Sequence, residues 1–222
     1  MIKRVFLFLV WMFPYMSSAQ EFFANNDTLN ASKEIMHEGL SAKIWRNKHI
    51  NLCFTNMTMS QDEQADFKSN YGAAFDVGCT YYLHKRAIGN FLRFGIDATW
   101  IDLNYSNYNF HHKSYWGTEK FQYHQIEYSM HIGVSLHAMP VRKLLVTGYF
   151  HYVPTFSSLY IDNSLYGNYA TYFCAGGCIS YGVIGIGIES KYGNCTYKEL
   201  KGFSTSFKKS YNGFRTYITF RM

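Results

Sequence analysis

The sequence predicts an all-β fold: an eight-stranded antiparallel transmembrane β-barrel of up-and-down topology, behind an N-terminal signal peptide. Three observations carry this. In Gln125–His137, Ile126, Tyr128, Met130, Ile132, Val134 and Leu136 alternate strictly with Gln, Glu, Ser, His and Gly, the period of a strand with one apolar and one polar face. The apolar face is long enough to cross a bilayer, since a tilted membrane strand needs about 9–11 residues. The chain is rich in aromatics (20 Tyr, 19 Phe) with three Pro, a composition that strands favour.

The first 19 residues read as a secretory signal. Lys3 and Arg4 supply the charge, Val5–Phe13 the apolar run, and Ser17-Ser18-Ala19 the small residues at a cleavage site. Beyond it no run of 18 apolar residues occurs, which argues against a helical membrane protein. The net charge of +6 is mild and scattered, and argues against nucleic acid as a partner. Residues 20–48 lack a β period and are expected to form a periplasmic N-terminal segment; residues 49–222 are expected to form the barrel.

The strands follow in order. The first is His49–Asn56, with Cys53 and Thr55 opposite Leu52 and Phe54. The second is Asn70–Leu83, placing Tyr71, Phe75, Val77 and Tyr81 outward and Asp76 and Thr80 inward. The third is Asn90–Leu103, with Phe94, Ile96 and Trp100 outward and Arg93, Asp97 and Thr99 inward. A long loop, Asn104–Phe121, is expected next. The fourth strand is Gln122–His137 and the fifth Leu144–Thr155, with Tyr152 outward and Tyr149 and His151 inward. The sixth is Asn168–Tyr181, joined by a tight Gly182-Val183 turn to the seventh, Ile184–Asn194, whose isoleucines face out while Glu189 and Lys191 face in. A loop over 195–210 carries Lys198, Lys201, Lys208 and Lys209, and the eighth strand is Tyr211–Met222, with Phe220 outward and Arg215 and Arg221 inward. Connections of roughly 13, 18, 12 and 16 residues alternate with short ones, the pattern of outer-membrane barrels. Open edges have no place in lipid, so the first strand should close on the eighth.

Outward aromatics fall where two interface girdles belong: Tyr71, Trp100, Tyr152 and Tyr192 near the long loops, and Tyr81, Tyr181 and Phe220 near the short turns. The inward charges Asp76, Arg93, Asp97, Glu127, Glu189, Lys191 and Arg215, with Arg221, are expected to form a salt-bridge and hydrogen-bond network, because eight strands enclose a space that side chains just fill.

Residues 45–222 resemble the small outer-membrane β-barrel domain proteins of Bacteroides-type bacteria, a porin-like family. The resemblance is carried by Tyr81-Tyr82-Leu83-His84-Lys85, Phe94-Gly95-Ile96-Asp97 with Trp100 and Asn104-Tyr105, Gly167-Asn168-Tyr169-Ala170-Thr171, Gly185-Ile186-Gly187-Ile188-Glu189 and Phe214–Arg221. It implies an outer-membrane location, insertion by the barrel assembly machinery, and no established activity. Such chains usually end on an aromatic; this one ends on Met222, which implies weaker recognition of the last strand.

Catalytic, cofactor and metal sites are not expected. Cys174 and Cys178, four apart on one strand, lie roughly 13 Å from each other, too far to bond. The inward pair His131 and His151 and the adjacent His111-His112 are weak chelating arrangements. The expected reading is a monomeric, non-enzymatic barrel with a plugged lumen, surrounded by outer-membrane lipid, its role structural or played by exposed loops. The residues leave open a narrow solute channel and an accessory subunit of a secretion or uptake system contacting its partner through residues 20–48. A soluble lipocalin-like barrel would need apolar inward faces.

Overall fold

The structure is a computed structural model. It describes residues 45–60, 67–114, 117–141, 143–161, 164–199 and 206–222, with backbone only over 110–114 and 117–121. The expected signal peptide, most of the 20–48 segment, the loop tip around Gln61–Gln64, the His111 and His112 side chains and Lys201 lie outside the described residues and side chains.

Eight strands run β1 (Lys48–Ser60), β2 (Phe67–Tyr82), β3 (Leu92–Ser114), β4 (Gly117–Val141), β5 (Leu144–Ile161), β6 (Ser164–Tyr181), β7 (Ile184–Glu199) and β8 (Ser206–Arg221). Each pairs antiparallel with its neighbours in the chain, and β1 pairs with β8 from His49↔Arg221 to Ser60↔Ser210, closing the barrel. The turns at the end where β1 begins and β8 ends, the termini of the barrel, include a tight one: Gly182 at φ +65° links Tyr181 to its partner Ile184, and Gly89 and Asn90 take positive φ before β3.

Alternation along these strands sorts the side chains. Leu52, Phe54, Ile132, Val134, Ile184, Ile186, Ile188 and Phe214 stand exposed on the outer wall. Asp76, Asp97, Asp102, Glu127, Glu189, Arg215, His131, His137 and His151 are buried inside. Each strand thus carries its apolar surface on the outside, where water would penalise so large a continuous patch and hydrocarbon would not. On β7 this band runs from Ile184 to Tyr192, about the length a membrane strand needs. Of the seven aromatics expected in the girdles, Tyr71, Tyr81, Tyr152, Tyr181 and Tyr192 are exposed, and Trp100 and Phe220 are half-buried.

Two expectations are corrected. The strands do not end where the apolar band ends. The described residues of the expected loops over 57–69, 104–121, 156–167 and 195–210 are strand, and the β3–β4 ladder continues to Ser114↔Gly117. Alternation stops being apolar there because the outer wall becomes wet, while the backbone hydrogen bonds continue regardless. Secondly, β3 contains a bulge. Thr99 pairs with His131 and Asp102 with Ser129, so Trp100 and Ile101 together oppose Met130. One extra residue inverts the parity beyond it, and Asp102, which strict alternation from Trp100 sends outward, is fully buried inside.

Candidate functional site: the filled lumen

The interior is stacked in three layers. The middle layer is ionic. Arg215 of β8 reaches across to β3, its Nη2 donating to both carboxylate oxygens of Asp102 (2.9 and 3.1 Å), while its Nη1 donates to Glu189 Oε1 (3.1 Å). His131 Nε2 lies 2.8 Å from Asp102 Oδ2. Lys191 Nζ donates to Glu127 Oε2 (2.8 Å) and lies 4.6 Å from the centre of the Tyr172 ring. Asn104 donates to the same Glu127 oxygen and Gln125 to the other. Arg215, Lys191 and Asp102 have no exposed surface, and Glu127 has 1%. Charges so far from water are tolerable only because each is paired and further hydrogen-bonded.

Towards the chain termini lies a histidine layer. Arg221 Nη2 donates to Thr147 Oγ1 (3.2 Å), Thr147 Oγ1 lies 3.0 Å from His137 Nδ1, His137 Nε2 lies 2.8 Å from Ser135 Oγ, and Ser135 Oγ donates to Asp97 Oδ1 (2.9 Å). His151 Nε2 is 3.3 Å from the other Asp97 oxygen. Because Ser135 gives its proton to Asp97, it accepts from His137 Nε2, and Thr147 donates to Nδ1. Every proton in this chain points toward the aspartate. A nucleophilic serine needs the reverse: an imidazole nitrogen free to take its proton and a carboxylate on the far side of the ring. A polar-lined cavity of about 30 Å³ lies between this layer and the ionic one, bordered by His49, Asn51, Asp76, His131, His151 and Tyr149 among others. That is room for a water or two, not for an organic substrate.

At the opposite end the lumen is aromatic and apolar, against the expectation of a polar interior throughout. Met57, Met59, Val153, Leu159, Tyr108, Tyr172, Tyr197 and Tyr211 are essentially inaccessible and pack together. Three of the four tyrosine hydroxyls are hydrogen-bonded, Tyr197 to Tyr211 (2.8 Å) and Ser157 (2.7 Å) and Tyr108 to Gln125 (2.9 Å), while that of Tyr172 is buried without a hydrogen-bond partner among the described residues. Met57, Met59, Tyr108, Leu159 and Tyr197 fall in stretches that the sequence presents as polar loops, and Val153, Tyr172 and Tyr211 near the ends of expected strands. Nearby, Lys209 is 3% exposed and sits 5.1–5.5 Å from the rings of Tyr123, Phe67 and Phe207. Burial lowers its ammonium from 10.5 to about 8.

Of the expected charges, Glu127 with Lys191 and Glu189 with Arg215 meet as ion pairs. Asp97 and Glu127, although on neighbouring strands, sit in different layers, since Asp97 opposes Gly133 and Glu127 opposes Asn104. Asp76 accepts from Asn51 (2.8 Å) and contacts Cys53. Arg93 lies apart from the carboxylates: its guanidinium stands 4.5 Å over Trp45 and 5.3 Å from the Tyr82 ring centre, and donates to the Lys85 carbonyl at the termini end. Asp102, which ties Arg215 to His131, was hidden by the bulge.

Among the described residues no group of three or more His, Cys, Asp or Glu is placed to hold a metal ion. All five cysteines are buried and free.

No family model matches the chain and no curated protein matches it. Among solved structures it is similar to Neisserial surface protein A (TM-score 0.44, 9% identity, 79% of this chain and 97% of that one) and to Ail, the attachment invasion locus protein of Yersinia pestis (0.41, 7%, 80% and 99%). It is also similar to the outer membrane protein OprG of Pseudomonas aeruginosa (0.36, 9%, 80% and 96%). At such values the assignment of fold rests on the strand register of the chain itself.

Proposed function

We propose that this chain is a monomeric outer-membrane barrel that neither conducts nor catalyses, and that its filled lumen is a rigid stalk for the part standing beyond the lipid. The single observation carrying this reading is the fully buried crossing of the lumen by Arg215–Asp102 and Lys191–Glu127, with Glu189 holding Arg215 from the neighbouring strand. An open pore would leave such groups hydrated. Here they are buried and paired with one another, which suits a scaffold. The apolar outer wall suits lipid, and the termini end, with its short turns, suits the periplasmic side. The assembly machinery of the outer membrane would insert it. The ladders that run past the apolar band then project as a stiff extracellular crown, and contacts with envelope or external molecules fall to that crown.

The test is single-channel recording in a planar bilayer, on mature chain first shown to be folded by the mobility difference between boiled and unboiled samples. A folded, electrically silent barrel is the expected result. Steady discrete conductance steps would overturn the plugged-lumen reading and make the chain a narrow channel.

A further inference from the structure

The charges of the described side chains are segregated by face. The carboxylates Asp76, Asp97, Asp102, Glu127 and Glu189 are inside, and Glu199 is on the inward parity of β7 and half-buried. The exposed charged side chains are cations: Lys48, Lys85, Arg86 and Lys143 at the termini end, and Lys68, Lys198 and Lys208 at the other. Two of these converge. In the β7–β8 ladder Lys198 pairs with Ser206 and Thr196 pairs with Lys208. All four point outward and are exposed. They form a square with lysines on one diagonal and hydroxyls on the other, where diagonal Cβ atoms lie about 7–8 Å apart. That spacing lets two ammonium groups and two hydroxyls close on one tetrahedral anion. Lys68, on β2, extends the cationic wall past β1.

Height selects the ligand. Lys198 is six residues beyond Tyr192, where the apolar band ends, and Lys208 six beyond Phe214. Six residues span about 20 Å of strand. At a tilt of about 40° that is about 15 Å above the hydrocarbon. A phospholipid headgroup layer is only about 5–8 Å deep. The square also faces sideways from the wall rather than up from the crown, so it addresses what stands beside the barrel in the leaflet.

We propose that Lys198, Lys208, Thr196 and Ser206 bind a phosphate carried on the saccharide of a neighbouring outer-leaflet glycolipid. This rests on the outer-membrane orientation given above.

The test uses the full mature chain, folded by the gel-mobility criterion and placed in phosphatidylcholine nanodiscs. The discs carry rough lipopolysaccharide with a phosphorylated core, its dephosphorylated form, or phosphatidylglycerol. Native mass spectrometry counts the lipid retained. Phosphorylated lipopolysaccharide should be retained about tenfold better than either of the others, and the K198Q/K208Q variant should lose that preference. K48Q/K143Q, the same loss of charge at the other rim, should keep it. Equal retention of the dephosphorylated form, a matching preference for phosphatidylglycerol, or an unchanged K198Q/K208Q variant would each overturn the proposal. Binding only of a soluble sulfated polysaccharide would overturn it too. A chain that folds but enters no bilayer would instead defeat the membrane reading beneath it.

Discussion

Arg215 and Asp102, from the eighth and third strands, meet across the lumen with one guanidinium nitrogen 2.9 and 3.1 Å from the two carboxylate oxygens, and neither residue has accessible surface. Removing one member leaves the other charged and dry. Arg215→Met should therefore cost about 3–5 kcal/mol, read as the urea midpoint of the barrel in vesicles. Arg215→Met combined with Asp102→Asn should cost less than the two single changes added together, by at least about 1 kcal/mol. Strict additivity would show that the pair is not coupled.

Two glycines should respond in opposite ways to alanine. A Cβ on Gly133 would run into the backbone carbonyl of Phe150 and the Cα of His151 on the paired strand, whereas one on Gly148 would meet nothing within 4 Å. Gly133→Ala should destabilise by about 1–3 kcal/mol through strand displacement. Gly148→Ala should be neutral or stabilise by roughly 0.5 kcal/mol, because alanine has less backbone entropy to lose. Equal midpoints for the two variants would contradict this packing.

Lys209, beyond the apolar band, titrates at about 8 in the barrel and near 10.5 unfolded. Between those values the unfolded chain holds more protons, so this residue makes stability rise with pH across the window. Lys209→Met should stabilise the barrel at pH 7, by up to about 3 kcal/mol, and flatten that part of the profile relative to the parent. A variant whose midpoint tracks the parent in parallel from pH 7 to 10 would show that Lys209 is solvated.

The five cysteines should be silent to a polar maleimide in the folded barrel and all react in urea, since Cys53, Cys79, Cys174, Cys178 and Cys195 are at most 8% exposed. Counting adducts by mass spectrometry checks this. Rapid labelling of Cys174 or Cys178 while the barrel stays folded would mean that the lumen is open to solvent there.

The sequence made the strands legible wherever one wall faces lipid and the other does not, because that contrast writes a period of two. His131 and His151 could be read as inward for the same reason. Where the wall leaves the apolar band the contrast fades, and the upper turns of Leu92–Ser114 and Gly117–Val141 read as loop although their ladder is intact. The apolar plug of Met57, Met59, Leu159 and Tyr197 went unseen because its members alternate with polar residues, as loop residues also do. Asp102 was lost to a single extra residue in its strand, which no local pattern announces. Arg93 had the right parity, but its aromatic partner Trp45 lies in a segment without β periodicity.

The ladder between β1 and β8 carries a consequence for how such a molecule comes into being. Every other ladder joins strands that follow one another in the chain, and each can zip as soon as its turn forms. This one joins the two extremities, down to the mutual backbone bonds of Lys48 and Met222, so it must wait for all the rest. Until then the sheet has two raw edges, and hydrocarbon would charge several kcal/mol for each amide left bare. The seam is thus a clock: the apolar wall can meet lipid fully only at the moment the first strand finds the last. A weakened seam should lengthen the wait for insertion more than it loosens the finished barrel.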